Sequence, residues 1–474
     1  MDFFRRSLRL RNTKTKEEQD QKQAKADSGD GRKCTTMLDF DAVQEVLPQV
    51  TVLLVGAGSR GMCYTFFAIH FPKRMKVVGV VDPRPSPRER VKLYHELDDA
   101  NIFEDWRPAV EKDKFADAVI IATPDRFHKD PAIAFAKKGY HILLEKPMAV
   151  TPEDCEEIVA ACQESGVMLA VGHVMRYYPI CLKMKELIDS GAIGDLVHIQ
   201  HMEPVGFWHF AHSFVRGNWR NEDESTFCLL AKSCHDIDLI NFWMGERRCL
   251  KVSSFGHLSH FTKEHKPKGA ASRCLDCSVE ESCPYSVQKI YLKGGKQGQF
   301  GWPTSVVCSK GVYDIESLTE ELRTGPYGRC VYECDNDVVT NQVVNLEFDG
   351  GVTAAFTMMA FTYNLGVRET RVYGSKGELR CKGGGPVEHF DFVTGTRTEH
   401  MALRAAFIPI QLLGHGGADY YLIENFTAAV AKNDPSLIKT GPEDTLRSHL
   451  LVFEAEKSRK ENRVILLENG REKI

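Results

Sequence analysis

The chain has 474 residues, of which 43% are hydrophobic and 27% charged, and a formal net charge of −4. That length allows two or three domains with cores of their own, and that composition excludes a fibrous or wholly disordered chain. The slight acidic balance leaves no bulk excess of cations to neutralise phosphates, so no nucleic-acid binding is expected and a small-molecule substrate is.

No apolar run approaches the roughly 18 residues of a bilayer span, so no membrane association is expected. The 15 Cys are an odd, scattered set with no apolar signal stretch before them, which points to reduced thiols and a cytoplasmic location. Arg5, Arg6, Arg9 and Arg11 offer the beginning of an organelle-targeting signal, but Glu17, Glu18 and Asp20 interrupt it.

In chain order, residues 1–48 read as a disordered leader, rich in Lys, Gln, Glu, Asp and Gly with little to bury. Short apolar strands follow at 51–55, 76–81, 116–122, 140–144 and 168–171, separated by stretches of helical length. Nearly continuous apolar strands alternating with helices predict an α/β domain over 49–175, a doubly wound parallel sheet of the Rossmann type. Over 176–474 the pattern becomes α+β, with helices at 180–190 and 235–244 and strands at 196–202, 342–348, 352–361 and 369–373. The turn pair Gly350-Gly351 suggests that the later strands form a large, open, mainly antiparallel sheet. Residues 259–301, rich in Lys, Gly, Cys and Pro, read as an insertion.

The first strand runs into Gly56-Ala57-Gly58-Ser59-Arg60-Gly61 and then a helix, the G-x-G-x-x-G fingerprint in its required context. Gly56 permits the tight turn, Gly58 lets backbone approach a pyrophosphate, and Gly61 allows close helix packing. The second strand ends at Asp82, about 20 residues on, where an acid bonds the adenine ribose. Asp82 favours NAD, while Arg84, Arg88 and Arg90 could partner the extra phosphate of NADP. Thr123, Pro124 and His128 follow the third of these strands at the same sheet edge and are cofactor-binding candidates, as are Glu145 and Lys146 after the fourth.

The glycine loop, Thr123-Pro124, Glu145-Lys146-Pro147 and a later helix with His235-x-x-Asp238 occur in the order of one known family. The chain resembles the glucose-fructose oxidoreductase, inositol dehydrogenase and rhizopine catabolism (Gfo/Idh/MocA) oxidoreductases from about residue 49 onward. The resemblance implies NAD(P)-dependent interconversion of alcohol and carbonyl on a sugar, cyclitol or related polyhydroxy substrate, in a homodimer or homotetramer. It makes Lys146 the active-site lysine and His235 the general acid/base, with Asp238 orienting or structural.

The sequence departs from the family where many members carry an Asp four residues before the catalytic His, because Ala231 stands there, followed by Lys232. Lys232 is therefore a third catalytic candidate, and two cations beside His235 would suit an anionic substrate and lower the imidazole pKa. Arg176, Tyr178, Trp208 and His235 are substrate-binding candidates; Trp208 lies in a segment crowded with His201, His209, His212, Arg216, Trp219 and Arg220. No catalytic metal is expected. Cys274, Cys277 and Cys283 offer three thiols for a structural zinc, with His257, His260 or Cys308 as the fourth ligand, or else remain free. Two other functions fit these residues: an NAD-dependent glycosidase working through transient oxidation, and a non-catalytic dinucleotide-binding sensor or scaffold.

Overall fold

The computed structural model describes residues 47–308, 310–402, 404–405, 407–468 and 471–473. The leader expected over 1–48 lies, but for its last two residues, outside the described residues.

Six parallel strands form the first sheet: β1 (Val50–Val55), β2 (Met75–Val81), β3 (Ile102–Phe103), β4 (Ala118–Ile121), β5 (His141–Leu144) and β6 (Leu169–Val171). Their order is β3-β2-β1-β4-β5-β6. Side chains alternate across a strand, and β1 sends Val52 and Leu54 into one core and Leu53 and Val55 into another. Both faces are therefore covered, which is why the strands read as unbroken apolar runs. Each such buried Val or Leu contributes roughly 1.5–3 kcal/mol. Strand order reverses at β1/β4, so the turns after β1, β4 and β5 open on one crevice at the carboxyl edge. The two-residue β3 is too short to carry a pattern and was not expected from the sequence.

The second sheet has ten strands in the order β14-β13-β12-β11-β7-β10-β9-β8-β15-β16. These are β7 (Leu196–Pro204), β8 (Cys249–His257), β9 (Asn341–Phe348), β10 (Thr353–Met359), β11 (Glu369–Gly374), β12 (Gly377–Lys382), β13 (Val387–Asp391), β14 (Arg397–His400), β15 (Ile465–Glu468) and β16 (Arg471–Glu472). Among the described residues only β7 and β10 pair in parallel; the other pairings of this sheet are antiparallel. Alternate residues of β9 are buried, as in a sheet with one covered face. Gly350 and Gly351, both at φ 78°, make the β9–β10 turn that the sequence marked.

The helix carrying His235 runs Cys228–Met244, seven residues earlier than the sequence suggested, because Cys228, Leu229, Leu230 and Ala231 are all buried within it. C-terminal helices tie the sheets together: Ala418–Lys432 packs on the glycine-loop helix Ser59–His70, and Pro442–Glu461 packs on Pro152–Glu164, on Cys228–Met244 and on β8. The insertion fills the whole passage from β8 to β9, longer than the expected 259–301, and has a core of its own around Val287, Tyr291, Leu318 and Leu322.

Candidate functional site

Gly56 sits at φ 96°, and a Cβ there would lie 2.4 Å from Ala122 O; one on Gly61 would lie 2.0 Å from Gly56 O. Neither position accepts a side chain. Gly58 precedes a helix with no side-chain cap, leaving the first-turn amides for an anion. The loop thus fits a dinucleotide pyrophosphate. Asp82 is 2% exposed. It accepts hydrogen bonds from Ala57 N at 2.8 Å and from Arg84 through its backbone N, Nε and Nη2 at 3.0, 3.0 and 2.9 Å. Burial opposes its ionisation, but the bonds from Arg84 and Ala57 outweigh burial and hold the carboxyl below its usual range. Arg84, more than half exposed, thus covers the acid that would repel a 2'-phosphate.

Three other cofactor candidates, His128, Arg60 and Glu145, make bonds within the protein. His128 is fully buried, with Nδ1 2.8 Å from Pro147 O and Nε2 2.9 Å from Thr123 O, so its ring ties the Thr123-Pro124 turn to the lysine turn. Arg60 is bonded to Glu145 Oε1 at 2.8 Å and to both oxygens of Asp419 at 2.9 and 2.8 Å, so its charge is met by the protein's own carboxylates. Glu145 also accepts from Tyr64 OH at 2.6 Å and from Lys146 N at 3.0 Å.

Lys146 reaches across from the sheet edge and donates through Nζ to Ala231 O at 2.5 Å, one turn before His235. His235 is 3% exposed and its Nδ1 is buried without a hydrogen-bond partner. Burial first, then the charges of Lys146, His173, His415 and Arg368, hold its pKa well below the usual imidazole value.

Lys232 is already paired within the protein. Its Nζ pairs with Glu203 Oε1 at 2.9 Å, and Glu203, fully buried at the end of β7, also meets Arg368 Nε at 3.2 Å. Arg368 Nε in turn meets Asp236 Oδ1 at 2.6 Å, and Asp236 meets His201 Nε2 at 3.1 Å. The protein itself supplies carboxylates to both Lys232 and Arg368, so neither cation is buried without an anion. Burial and Lys146, not a pair of lysines, are the leading causes of the low His235 pKa.

Arg176 is likewise held by partners within the protein. It is 1% exposed and grips Asp238 through Nε and Nη2 at 2.7 and 2.9 Å, with Nη1 on Lys439 O at 3.0 Å and Asp444 Oδ2 at 3.1 Å. Tyr178 is buried, accepts from Arg404 Nη2 at 3.0 Å and packs against Gly416, bracing the loop before Ala418–Lys432. Trp208 is half-buried, its ring 5.3 Å from Trp302 of the insertion.

The sequence reading missed a row of imidazoles: ring centres are 5.8 Å apart for His415 and His235, 5.4 Å for His235 and His173, and 5.2 Å for His173 and His449. His173 is fully buried with neither nitrogen partnered, and burial pushes its pKa down to about 4. His415 stands at the outer end, its side chain 35% exposed, with Nδ1 3.1 Å from Asp419 Oδ1. Its φ of 50° is rare for a residue with a side chain and marks a held conformation. The one available signal was the run Gly414-His415-Gly416-Gly417.

The zinc expectation finds no support as stated. Cys274, Cys277 and Cys283 are free thiols, and His260 Nε2 is bonded to Tyr332 OH at 3.1 Å. Among the described residues no group of three or more His, Cys, Asp or Glu is arranged to hold a metal ion.

Two family models match the chain: the oxidoreductase family's NAD-binding Rossmann fold over residues 50–173 and its C-terminal alpha/beta domain over residues 185–467. The Bacillus subtilis oxidoreductase YteT is 25% identical over 378 residues, 75% of this chain and 82% of that protein. The Escherichia coli 2,7-anhydro-N-acetylneuraminate hydratase is 33% identical over 152 residues, 32% of this chain and 40% of that one. Inositol 2-dehydrogenase of Salmonella paratyphi B is 30% identical over 151 residues, 31% of this chain and 44% of that one. The chain spans only 38–47% of the length of three relatives it matches, the Escherichia coli hydratase among them. Levoglucosan dehydrogenase, solved with NADH and L-sorbose, superposes with a TM-score of 0.64 at 16% identity, covering 89% of this chain and all of that one. The scyllo-inositol dehydrogenase of Lactobacillus casei gives 0.59 at 16% identity, covering 88% and 99%. Both sheets, the glycine loop and the two matched models lead to one conclusion: the chain belongs to the GFO/IDH/MocA oxidoreductase family and carries its NAD-binding Rossmann fold.

Proposed function

We propose that this protein is an NAD(P)-dependent oxidoreductase that interconverts an alcohol and a carbonyl on a sugar, cyclitol or related polyhydroxy substrate. The observation that carries this reading is the meeting of Lys146, from the carboxyl edge of the Rossmann sheet, with the helix turn before a buried His235 whose pKa is depressed. A neutral imidazole takes the hydroxyl proton, and the adjacent ammonium stabilises the developing alkoxide. The dinucleotide, when bound, exchanges hydride with the carbinol carbon. Arg84 over Asp82 supports use of NADP as well as NAD. The proposal includes a dinucleotide domain over 49–175, a substrate domain over 176–474, a cytoplasmic location and a homodimer or homotetramer. Exposed Phe390 and Phe392 at the β13 end of the open sheet support the oligomer, which light scattering tests.

A second reading has its own support. Oxidation of an alcohol needs one proton acceptor, whereas an elimination or addition driven by transient oxidation needs two proton-transferring groups. His415, paired with Asp419 and 5.8 Å from His235, is the candidate for the second. Two relatives bear the name of a hydratase rather than a dehydrogenase. The test incubates the protein with NAD and with NADP across sugars, inositols and their aryl glycosides, following NAD(P)H and free aglycone together. Net NAD(P)H supports the dehydrogenase. Aglycone without net NAD(P)H supports the second reading, and NADH binding with neither product leaves a non-catalytic sensor.

A further inference from the structure

The stretch that follows β7 is fixed at both ends to parts of the site. At its start Glu203 holds Lys232 at 2.9 Å, and Val205-Gly206 lead straight into the short helix Phe207–Phe210. At its end Trp219 Nε1 donates to Asp125 Oδ2 at 2.9 Å, in the turn after β4. Between them lies a π-helix, Ala211–Arg216, a rare form that recurs at functional sites. His212 Nδ1 lies 2.8 Å from Tyr291 OH, and Arg216 Nε donates to Arg329 O at 2.8 Å, so the insertion is locked onto this stretch.

Where the two meet, the ring of Trp302 from the insertion stands 5.3 Å from Trp208 and 5.1 Å from His209. Trp302 is 44% exposed and Trp208 half-buried, although indole is among the side chains that gain most from burial. His209 Nδ1 faces Val205 O at 3.1 Å, and a carbonyl only accepts, so the ring proton is on Nδ1. Burial first, then Lys232 and more weakly His212 and Lys146, push the pKa of His209 down to about 3. The ring is therefore neutral, and Nε2, which has no hydrogen-bond partner among the described residues, is an acceptor. Indole faces beside an acceptor suit a sugar, whose C–H face stacks while a hydroxyl at its rim donates. Trp302 meets His209 rather than Lys146 or His235, so a ring lying on it is a second ring, beyond the one whose carbinol faces His235.

We propose that Trp208, His209 and Trp302 form a second subsite, supplied in part by the insertion, for the linked ring of a two-ring glycoside. This rests on the proposed reaction at a polyhydroxy substrate and narrows its substrate class. The linked ring is a sugar or an arene, which share a flat apolar face.

The test measures binding by calorimetry to the full chain saturated with NADH, so that no turnover is needed. The probes are hexoses, N-acetylhexosamines and hexuronic acids, each as methyl glycoside, p-nitrophenyl glycoside and disaccharide. A two-ring probe should bind about tenfold or more tighter than the methyl glycoside of the same sugar. Trp302→Ala should remove that gain while leaving the methyl glycoside and NADH within about threefold, and Trp302→Phe should keep most of it. A gain for disaccharides that His209→Ala lowers identifies a sugar as the linked ring; a gain for p-nitrophenyl glycosides alone identifies an arene. Methyl glycosides that bind with no gain from a second ring overturn the subsite and leave the proposed reaction standing, as does a gain that survives Trp302→Ala. If NADH binds and no probe does, the polyhydroxy reading falls and the subsite with it. The comparison of one-ring with two-ring probes uses the wild type, so it stands even if a variant fails to fold.

Discussion

Replacing Asp238 with Asn separates a structural Arg176 from a substrate-binding one. Both side chains are about 1% exposed, and the guanidinium holds both carboxylate oxygens. Removing one partner of a buried ion pair costs about 3–5 kcal/mol, because the other charge is left uncompensated. Here Asp444 at 3.1 Å and Lys439 O at 3.0 Å still face Arg176, which places the loss near the lower end. A loss of about 3 kcal/mol lowers the urea midpoint by about 1 M at an unchanged slope of about 3 kcal/mol/M. Burial opposes ionisation of Asp238, but Arg176 and His173 outweigh it and hold the carboxyl below its usual range. Its folded pKa therefore lies below the unfolded value of about 3.9, and its contribution is complete above that pH and lost as the pH falls through the folded value. Wild type and variant should differ fully between about pH 5 and 8 and converge only in acid. A midpoint shift under about 0.2 M, or a raised KM with stability intact, would refute the structural assignment.

Gly56→Ala forces φ 96° on a side-chain-bearing residue and drives its Cβ to 2.4 Å from Ala122 O, so NADH affinity should fall by about tenfold or more, read by fluorescence titration. Arg84→Ala uncovers Asp82 and should shift the NADP-to-NAD affinity ratio about tenfold toward NAD, about 1.4 kcal/mol; calorimetry that finds the ratio unchanged rejects the covering role. Because His235 is held well below the ordinary imidazole pKa, kcat/KM for alcohol oxidation should show no His235 limb between about pH 6 and 8. A limb near pH 6.5 that disappears in His235→Ala would contradict this.

The Rossmann half was legible because its strands are buried on both faces and its turns carry residues whose spacing has one structural use, as at Gly56, Gly61 and Asp82. The start of the helix holding His235 was not, because Leu229, Leu230 and Ala231 extend a helix buried almost all round, with no polar face to give a period. Lys232 and Arg176 were recognised as charged residues near the site, but their partners Glu203 and Asp238 could be assigned only once β7 and the helix lay side by side. The imidazole row was invisible for the same reason, since His173, His235, His415 and His449 come from separate stretches of chain. Lys, Gly and Pro masked the insertion's small core, whose apolar residues are spread too thinly to show a pattern.

The central claim is that Lys146 and His235 carry out chemistry on a substrate rather than merely holding a cofactor fold. Its most direct test measures turnover on the best substrate found in the screen, together with NADH dissociation constants, for wild type, Lys146→Met and His235→Ala. Turnover should fall about a hundredfold or more in each variant while NADH affinity stays within about threefold, the scale of a positioned acid or base. Turnover within about threefold of wild type in both variants, with the fold intact, would contradict the account.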